Sequence, residues 1–247
     1  MKNKAYIFLM CLFASLIAVT ACAHRSGQKK RERKTHKIEE EQKDENPNTD
    51  KPIANVATGH HTKLEGAEVF QRYSKAIFMV FTSDGSNVYQ GSGFFIGNCG
   101  LAVSNYHVFR GTDTENEVIK VYGDDTAYKV EKIYAQSEAE DFVLFRVAYN
   151  NKTAIPLASE RPKIGDKVFA IGSPRGLENT FSSGEVSQWR DTNLMQISAL
   201  IDHGSSGGAL INEYGEAVGI TSGTFAEGSQ ANLNYAWSIE VVKPYLK

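Results

Sequence analysis

The chain has 247 residues, of which 41% are hydrophobic and 11% aromatic, and its formal net charge at pH 7 is −2. This length allows one or two domains, and this apolar content is enough for a substantial core. The near-neutral charge gives no support for a nucleic acid partner, which would require a strongly basic surface. No pair of Cys or His in the patterned region has the spacing of a zinc site, so the sequence implies no metal.

The N-terminus predicts a lipoprotein signal sequence over residues 1–22. A basic start is followed by an uncharged run from Ala5 to Ala23, which is typical of a secretory signal. The run would also just reach across a bilayer, so a membrane-spanning helix is the alternative. VTAC, Val19 to Cys22, resembles a bacterial lipobox, whose cysteine is lipidated and becomes the new N-terminus. We therefore expect lipidation at Cys22 and a lipid-anchored protein of the bacterial cell envelope, facing the periplasm or the exterior.

Residues 23–64 are polar and charged, with almost no apolar side chains. Such a segment cannot bury enough surface to offset the entropy lost on ordering, so it predicts a disordered tether. The first half is basic and the second half acidic, and the basic half suits contact with anionic lipid headgroups. A merely solvated spacer explains the same composition, and both interpretations stay open.

Residues 65–247 predict one folded domain of short β-strands. GAEVFQRYSKAIFMVF begins as a short helix or turn and continues as a strand from Ala76 to Phe81. Further strand-like runs between turn signals are SGFFIG, LAVSN, VIKVYG, YKVEKIYA, FVLFRV, KVFAIG, FSSGEVSQW, MQIS, GALIN, EAVGITSG and NYAWSI. Only the terminal EVVKPYLK has a helical pattern. About a dozen strands without βαβ alternation indicate an all-β sandwich or barrel.

Three positions in this domain are candidates for nucleophilic catalysis. His107 follows the LAVS run, Asp141 directly precedes FVLFRV, and DHGSSGGAL sets Ser205 and Ser206 among glycines. Each signal alone is weak, because Gly/Ser-rich runs are mostly turns and a lone histidine or aspartate is usually a surface group. Together, in the order His, Asp, Ser, they match a nucleophile, its base and the group that orients the base.

These candidates have rivals in the folded region. His203 is the other histidine there, but it lies on the same loop as the serines, and we expect it to be exposed. Asp124 and Asp125 fall on a hairpin signal, whereas Asp141 precedes a buried run, where a carboxylate can face a histidine away from water. Cys99 lies in the turn GNCGL without a basic neighbour to favour its thiolate, so we interpret it as an unpaired thiol.

Four spaced segments resemble the chymotrypsin-fold (trypsin-like) serine peptidases, and among them the HtrA/DegP-type protease domain without PDZ domains. They are GSGFFIGNCGLAVSNYHV, DFVLFRV, VFAIGSPRGLENTFSSGEVS and IDHGSSGGALINEYGEAVGI, and NYAWSI is similar to the family's closing strand. The resemblance covers Val69 to Lys247. It implies two antiparallel β-barrels, chymotrypsin-like, with the active site between them, and the terminal pattern adds a short C-terminal helix.

The resemblance also assigns roles. Ser206, which precedes Gly-Gly, is the nucleophile, His107 takes its proton, and Asp141 fixes the histidine tautomer and stabilises the imidazolium. The backbone N–H groups of Gly204 and Ser206 form the oxyanion hole, where each donor in comparable sites contributes about 3 kcal/mol. The departures from the family pattern remove no catalytic group; they lie at Ser104, Tyr106, Phe142 and Ser205.

Substrate-binding residues follow from the same resemblance. Leu200, with Ile201 beside it, falls at the base of the primary specificity pocket. Ser222, Gly223 and Thr224 form the edge along which a substrate backbone adds as a strand. No Asp or Glu occupies the pocket base, so we expect an apolar preference rather than one for Lys or Arg.

These observations predict a serine endopeptidase that cleaves unfolded or extended polypeptides without a metal or organic cofactor. The first alternative is a catalytically silent peptide-binding protein on the same fold, although an intact His, Asp and Ser set disfavours it. The second is a lipid-anchored structural or adhesin-like β-protein, which requires the motifs to be coincidental. The natural substrate and the oligomeric state, including a homo-oligomer, stay open.

Overall fold

The computed structural model describes five segments of the chain, residues 51–52, 62–112, 116–173, 179–224 and 233–246. The predicted signal sequence, the predicted lipidation site Cys22 and most of the predicted tether lie outside the described residues. Within the described segments, no helix is both long and apolar enough to cross a membrane. Leu64, the last residue of the predicted tether, is buried in the core, and its N–H donates to the carbonyl of Glu213 at 2.7 Å.

The described segments contain twelve strands and few helices. The first six strands are β1 (Ile77–Ser83), β2 (Val88–Phe95), β3 (Leu101–Ser104), β4 (Val118–Val121), β5 (Ala127–Ser137) and β6 (Phe142–Val147). The other six are β7 (Lys167–Gly172), β8 (Thr180–Trp189), β9 (Leu194–Ile197), β10 (Ala209–Asn212), β11 (Ala217–Thr224) and β12 (Asn234–Ser238). Helix α1 (Gly66–Tyr73) precedes β1, and the short helix α2 (Tyr106–Phe109) follows β3.

Each set of six strands closes into an antiparallel barrel. The strand order is β1-β2-β3-β6-β5-β4 in the first barrel and β10-β11-β12-β9-β8-β7 in the second. The predicted all-β fold with two antiparallel barrels is therefore confirmed. The short C-terminal helix is present as two 3-10 turns, Ile239–Val241 and Lys243–Tyr245. An α-helix through this segment would need the backbone N–H of Pro244, and proline has none.

Strand β6 explains why several strands carry unbroken apolar runs. Val143 and Phe145 pack inside the first barrel, whereas Phe142 and Leu144 pack in a layer that both barrels share. Successive side chains of a strand point to opposite faces, and here both faces are buried. The shared layer fixes one barrel against the other, so that loops from both barrels meet at their junction.

Candidate active site

The three predicted catalytic residues come from three connections between strands. His107 lies in α2, Asp141 ends the turn between β5 and β6, and Ser206 lies in the turn before β10. A Cβ atom built on Gly91 would lie 2.7 Å from the side chain of Val108, the neighbour of His107, and 3.1 Å from the carbonyl oxygen of Ser206. The junction of the barrels thus brings the histidine helix and the serine turn to the same stretch of β2.

His107 and Asp141 form a close pair. Nδ1 of His107 lies 2.9 Å from Oδ2 and 3.0 Å from Oδ1 of Asp141, and the backbone N–H of His107 donates to Oδ1 at 2.9 Å. The carboxylate can only accept, so Nδ1 carries a proton, and in the neutral ring Nε2 is the nitrogen with a free lone pair. The Asp141 side chain is 15% exposed and the His107 side chain 45% exposed. The acidic member is therefore shielded while the ring reaches solvent.

The Asp141 backbone and carboxylate are both held by polar side chains, one buried and one half-buried. Asp141 has a φ of 43°, a backbone conformation that residues other than glycine rarely adopt. Nδ2 of the fully buried Asn105 donates to the Asp141 carbonyl at 2.7 Å. The hydroxyl of Ser222 donates to Oδ2 at 2.6 Å. These contacts hold the carboxylate toward the histidine ring.

Glycines shape the turn that carries Ser206. The N–H of Ser205 donates to the carbonyl of Asp202 at 2.9 Å, and Gly204 within this turn has a φ of 92°. Gly207, immediately after Ser206, has a φ of 89°, and a Cβ there would lie 2.1 Å from the carbonyl oxygen of Ser92. A side chain at Gly207 would therefore collide with the first barrel. His203 is exposed on the turn, as expected.

The Ser206 hydroxyl makes no hydrogen bond to the His107–Asp141 pair. Among the hydrogen bonds between described residues, none joins Oγ of Ser206 to Nε2 of His107. Such contacts are often long in free enzymes and close when substrate binds. The predicted oxyanion donors, the N–H groups of Gly204 and Ser206, likewise donate to no group among the described residues.

An apolar cavity of about 450 Å³ adjoins the serine turn. It is lined by Ala170, Ile171, Gly172, Thr180, Phe181, Ser182, Leu200, Ile201, Asp202, Ser205 and Thr221. The two residues predicted for the pocket base are therefore both in its wall, where Ile201 is buried and Leu200 is 63% exposed. Asp202 also borders the cavity, and its Oδ1 accepts the backbone N–H of His203 at 2.7 Å.

The predicted substrate edge lies at the end of β11. A Cβ on Gly223, which has a φ of 81°, would lie 3.3 Å from Oγ of Ser206. The glycine therefore leaves open the space directly beside the candidate nucleophile. Ser222 precedes it and contacts Asp141, and Thr224 is the last residue of the strand. The edge and the nucleophile are thus adjacent.

Sequence reasoning missed the contacts that hold the pair. It assigned Ser222 to the substrate edge alone and gave Asn105 no role, yet each donates a hydrogen bond to Asp141. Ser222 and Asp141 are 81 positions apart in the chain, and no local signal joins them. Among the described residues, no group of three or more His, Cys, Asp or Glu side chains is arranged to hold a metal ion.

The chain matches the family model described as "Trypsin-like peptidase domain" over residues 91–220, more than half of its length. It therefore belongs to the trypsin-like peptidase domain family. The matched region contains all three candidate catalytic residues. Together with the relatives below, this match confirms the resemblance to HtrA-type chymotrypsin-fold proteases.

Three curated relatives illustrate the likeness. The magnetosome formation protease MamE of Paramagnetospirillum magneticum is 36% identical over 59% of this chain and 22% of the relative. The mitochondrial serine protease HTRA2 of Drosophila virilis is 31% identical over 69% and 42%, respectively. A probable periplasmic serine endoprotease, DegP-like, of Halomonas elongata is 34% identical over 61% and 33%. The chain spans less than half the length of each of these relatives.

The fold is also similar to a solved structure. The crystal structure of the serine endoprotease from Yersinia pestis matches with a TM-score of 0.65 and 24% identity, covering 74% of this chain and 65% of the other. This match confirms the chymotrypsin-like architecture.

Proposed function

We propose that the chain is a serine endopeptidase in which Ser206 attacks the peptide carbonyl, His107 is the general base and Asp141 orients the base. The observation that carries this proposal is the shielded carboxylate within 2.9 Å of Nδ1 of His107, on a helix that meets the glycine-flanked turn of Ser206 at Gly91. Membership of the trypsin-like peptidase family supports the reaction class.

The reaction follows from this geometry. Nε2 of His107 accepts the hydroxyl proton of Ser206 as Oγ bonds to the carbonyl carbon, and the carbonyl oxygen becomes an oxyanion. The N–H groups of Gly204 and Ser206 then donate to that oxyanion. The imidazolium, stabilised by Asp141, passes the proton to the leaving amine as the C–N bond breaks. Water, activated by His107, hydrolyses the resulting acyl ester and regenerates the serine.

The proposed substrates are unfolded or extended polypeptides. The substrate backbone adds along Ser222, Gly223 and Thr224 as a strand, and a folded protein has few strands free to do so. The side chain before the scissile bond enters the apolar cavity beside Ile201. The protease names of the relatives support a polypeptide substrate.

The competing proposal is a catalytically silent peptide-binding protein on the same fold, which the missing hydrogen bond between Ser206 and His107 favours. A fluorophosphonate probe distinguishes the two, because only a serine activated by its base is phosphonylated. We expect labelling of the wild type at Ser206 and none in the Ser206→Ala variant. A folded wild type that stays unlabelled would establish the silent protein instead.

We further propose that the protein is anchored in the bacterial cell envelope by a lipid on Cys22, facing the periplasm or the exterior. The lipobox-like VTAC after an apolar run supports the anchor, and the periplasmic relative supports the compartment. Mass spectrometry of the purified protein should find an acylated Cys22 at the new N-terminus, and Cys22→Ser should leave the precursor uncleaved there. An unmodified Cys22 within an intact N-terminus would contradict the anchor.

A further inference from the structure

Ser92 of β2 connects the first barrel to the serine turn through both its backbone and its side chain. Its N–H donates to the carbonyl of Ser206 at 2.7 Å, and its hydroxyl donates to the carbonyl of Gly204 at 2.7 Å. The residue is fully buried. One residue of the first barrel therefore contacts the main chain of both residues that supply the proposed oxyanion donors, Gly204 through its side chain and Ser206 through its backbone.

The Ser92 hydroxyl also accepts a hydrogen bond from a second loop. The N–H of Ser173, which follows β7, donates to Oγ of Ser92 at 2.8 Å. Two positions earlier on β2, Nε2 of Gln90 donates to the carbonyl of Ser173 at 2.9 Å. The carbonyl of Ser92 is fixed as well, because it accepts the hydroxyl of Ser104 at 2.6 Å. Oγ of Ser92, on β2, thus bonds both to the serine turn and to the segment that follows β7.

Gly204 is the part of the turn that most needs such a contact. Without a Cβ it has a wide range of accessible φ and ψ, and its observed φ is 92°. The two hydrogen bonds from Ser92 fix the peptide planes that follow Gly204 and Ser206. The plane that follows Gly204 lies between the two planes that carry the proposed donors, the N–H groups of Gly204 and Ser206. Holding this plane therefore restrains both donors, and an oxyanion hole acts through donors aligned before the reaction.

We infer that Ser92 is a positioning residue for the oxyanion hole, acting through Gly204 and Ser206 without touching substrate. This inference rests on the proposed peptidase function. Removing the hydroxyl leaves the carbonyl of Gly204 and the N–H of Ser173 without this partner in a buried site, and the turn loosens. The loss is smaller than that of an oxyanion donor itself, which costs about 10²–10³ in kcat.

The test compares Ser92→Ala with Asn151→Ala, each of which removes a buried side-chain group that donates to a main-chain carbonyl, at 2.7 Å for Oγ of Ser92 and at 2.9 Å for Nδ2 of Asn151. With an unfolded, dye-labelled casein, Ser92→Ala should lower kcat about tenfold, with KM within about twofold of wild type. The inhibition constant of a peptide boronic acid, which forms a tetrahedral adduct on the serine, should rise about as much. Asn151→Ala should keep the wild-type kcat and inhibition constant, because Asn151 contacts Gly100 at the end of β3 that lies away from His107.

Hydrogen exchange provides a readout that does not depend on activity. Amides of residues 202–206 should exchange faster in Ser92→Ala than in wild type, with unchanged exchange in β1. Ser92→Cys, which fills the site with only a weak donor, should lose kcat in the same direction and decides the matter if Ser92→Ala does not fold. Wild-type kcat in both Ser92 variants would overturn the positioning role. A wild type that is inactive and is not labelled by the fluorophosphonate probe would instead refute the peptidase proposal. In that case, unchanged amide exchange at residues 202–206 of Ser92→Ala would also refute the role of Ser92 in holding the turn.

Discussion

The two parts of the proposed active site are held in place by different means. Around the His107–Asp141 pair, side chains make the contacts, since Asn105 and Ser222 both donate to Asp141. Around the Ser206 turn, the main chain makes most of them. The carbonyl of Ser205 accepts the N–H of Gly208 and the hydroxyl of Thr221, and the N–H of Gly207 donates to the carbonyl of Thr221.

This difference determines how each part responds to substitution. At the pair, losing a donor weakens one contact to a charged group, and the backbone remains in place. At the turn, the conformation depends on side chains being absent at Gly204 and Gly207, where φ is positive. Substitutions at the pair should therefore change rate more than stability, whereas those at the turn glycines should change both.

The largest expected effect comes from the nucleophile itself. Ser206→Ala should abolish peptide hydrolysis, since the other groups of such a site provide only residual catalysis. Ser205→Ala should retain most activity, because Ser205 takes part in the turn through its backbone N–H and carbonyl. Both variants should be assayed with an unfolded protein substrate, with circular dichroism to confirm folding. Equal losses in two folded variants would overturn the assignment of Ser206.

The next test separates the left-handed backbone from steric collision. Gly207 and Gly165 have nearly the same φ, 89° and 90°, but a Cβ at Gly165 would meet no atom within 4 Å. Gly165→Ala should cost about 1–2 kcal/mol of unfolding free energy from backbone strain alone. Gly207→Ala carries the same strain, and collision with Ser92 and Ser104 adds about 1–3 kcal/mol.

Urea unfolding of both variants measures this difference, and peptidase assays at a permissive temperature measure its effect on the site. Gly165→Ala should keep wild-type activity because the residue lies outside the site. Equal destabilisation of the two variants would mean that the turn yields to a side chain, and the contrast between pair and turn would fail.

The sequence predicted the strands well because their apolar runs are local signals. FVLFRV coincides with β6, since burial of both strand faces requires consecutive apolar residues. The short C-terminal helix was also predicted, and it forms two 3-10 turns because Pro244 cannot provide an α-helical hydrogen bond. The contact between Ser92 and Gly204 was not predictable, as serine is common in strands and 112 positions separate the two residues.

A smaller effect is expected at Ser222, which tests the pair. Ser222→Ala removes one of the hydrogen bonds to the Asp141 carboxylate, and such bonds contribute about 1.5–3 kcal/mol. Because part of that contribution is retained by the other donors, kcat should fall about tenfold, which corresponds to 1.4 kcal/mol. The melting temperature should change little. Ser83→Ala, whose hydroxyl bonds to Asn87 in a distant hairpin, should keep wild-type kcat; equal activity of the two variants would remove Ser222 from the positioning of Asp141.

The smallest effect concerns the cavity beside the serine turn and its preference for the substrate side chain before the scissile bond. Cleavage sites in a denatured protein mixture should have Val, Ala or Leu before the scissile bond, because the cavity beside Leu200 and Ile201 is mainly apolar and the Asp202 carboxylate at its border already accepts the N–H of His203. Selection should be weak, since one methylene changes discrimination by about 1–3 kcal/mol. Asp202 is the carboxylate that borders this cavity. If most cleavage sites have Lys or Arg before the scissile bond, and the Asp202→Ala variant loses this preference, then Asp202 determines specificity. If most sites have Asp or Glu there, the apolar pocket is refuted. Neither result would change the proposed roles of His107, Asp141 and Ser206.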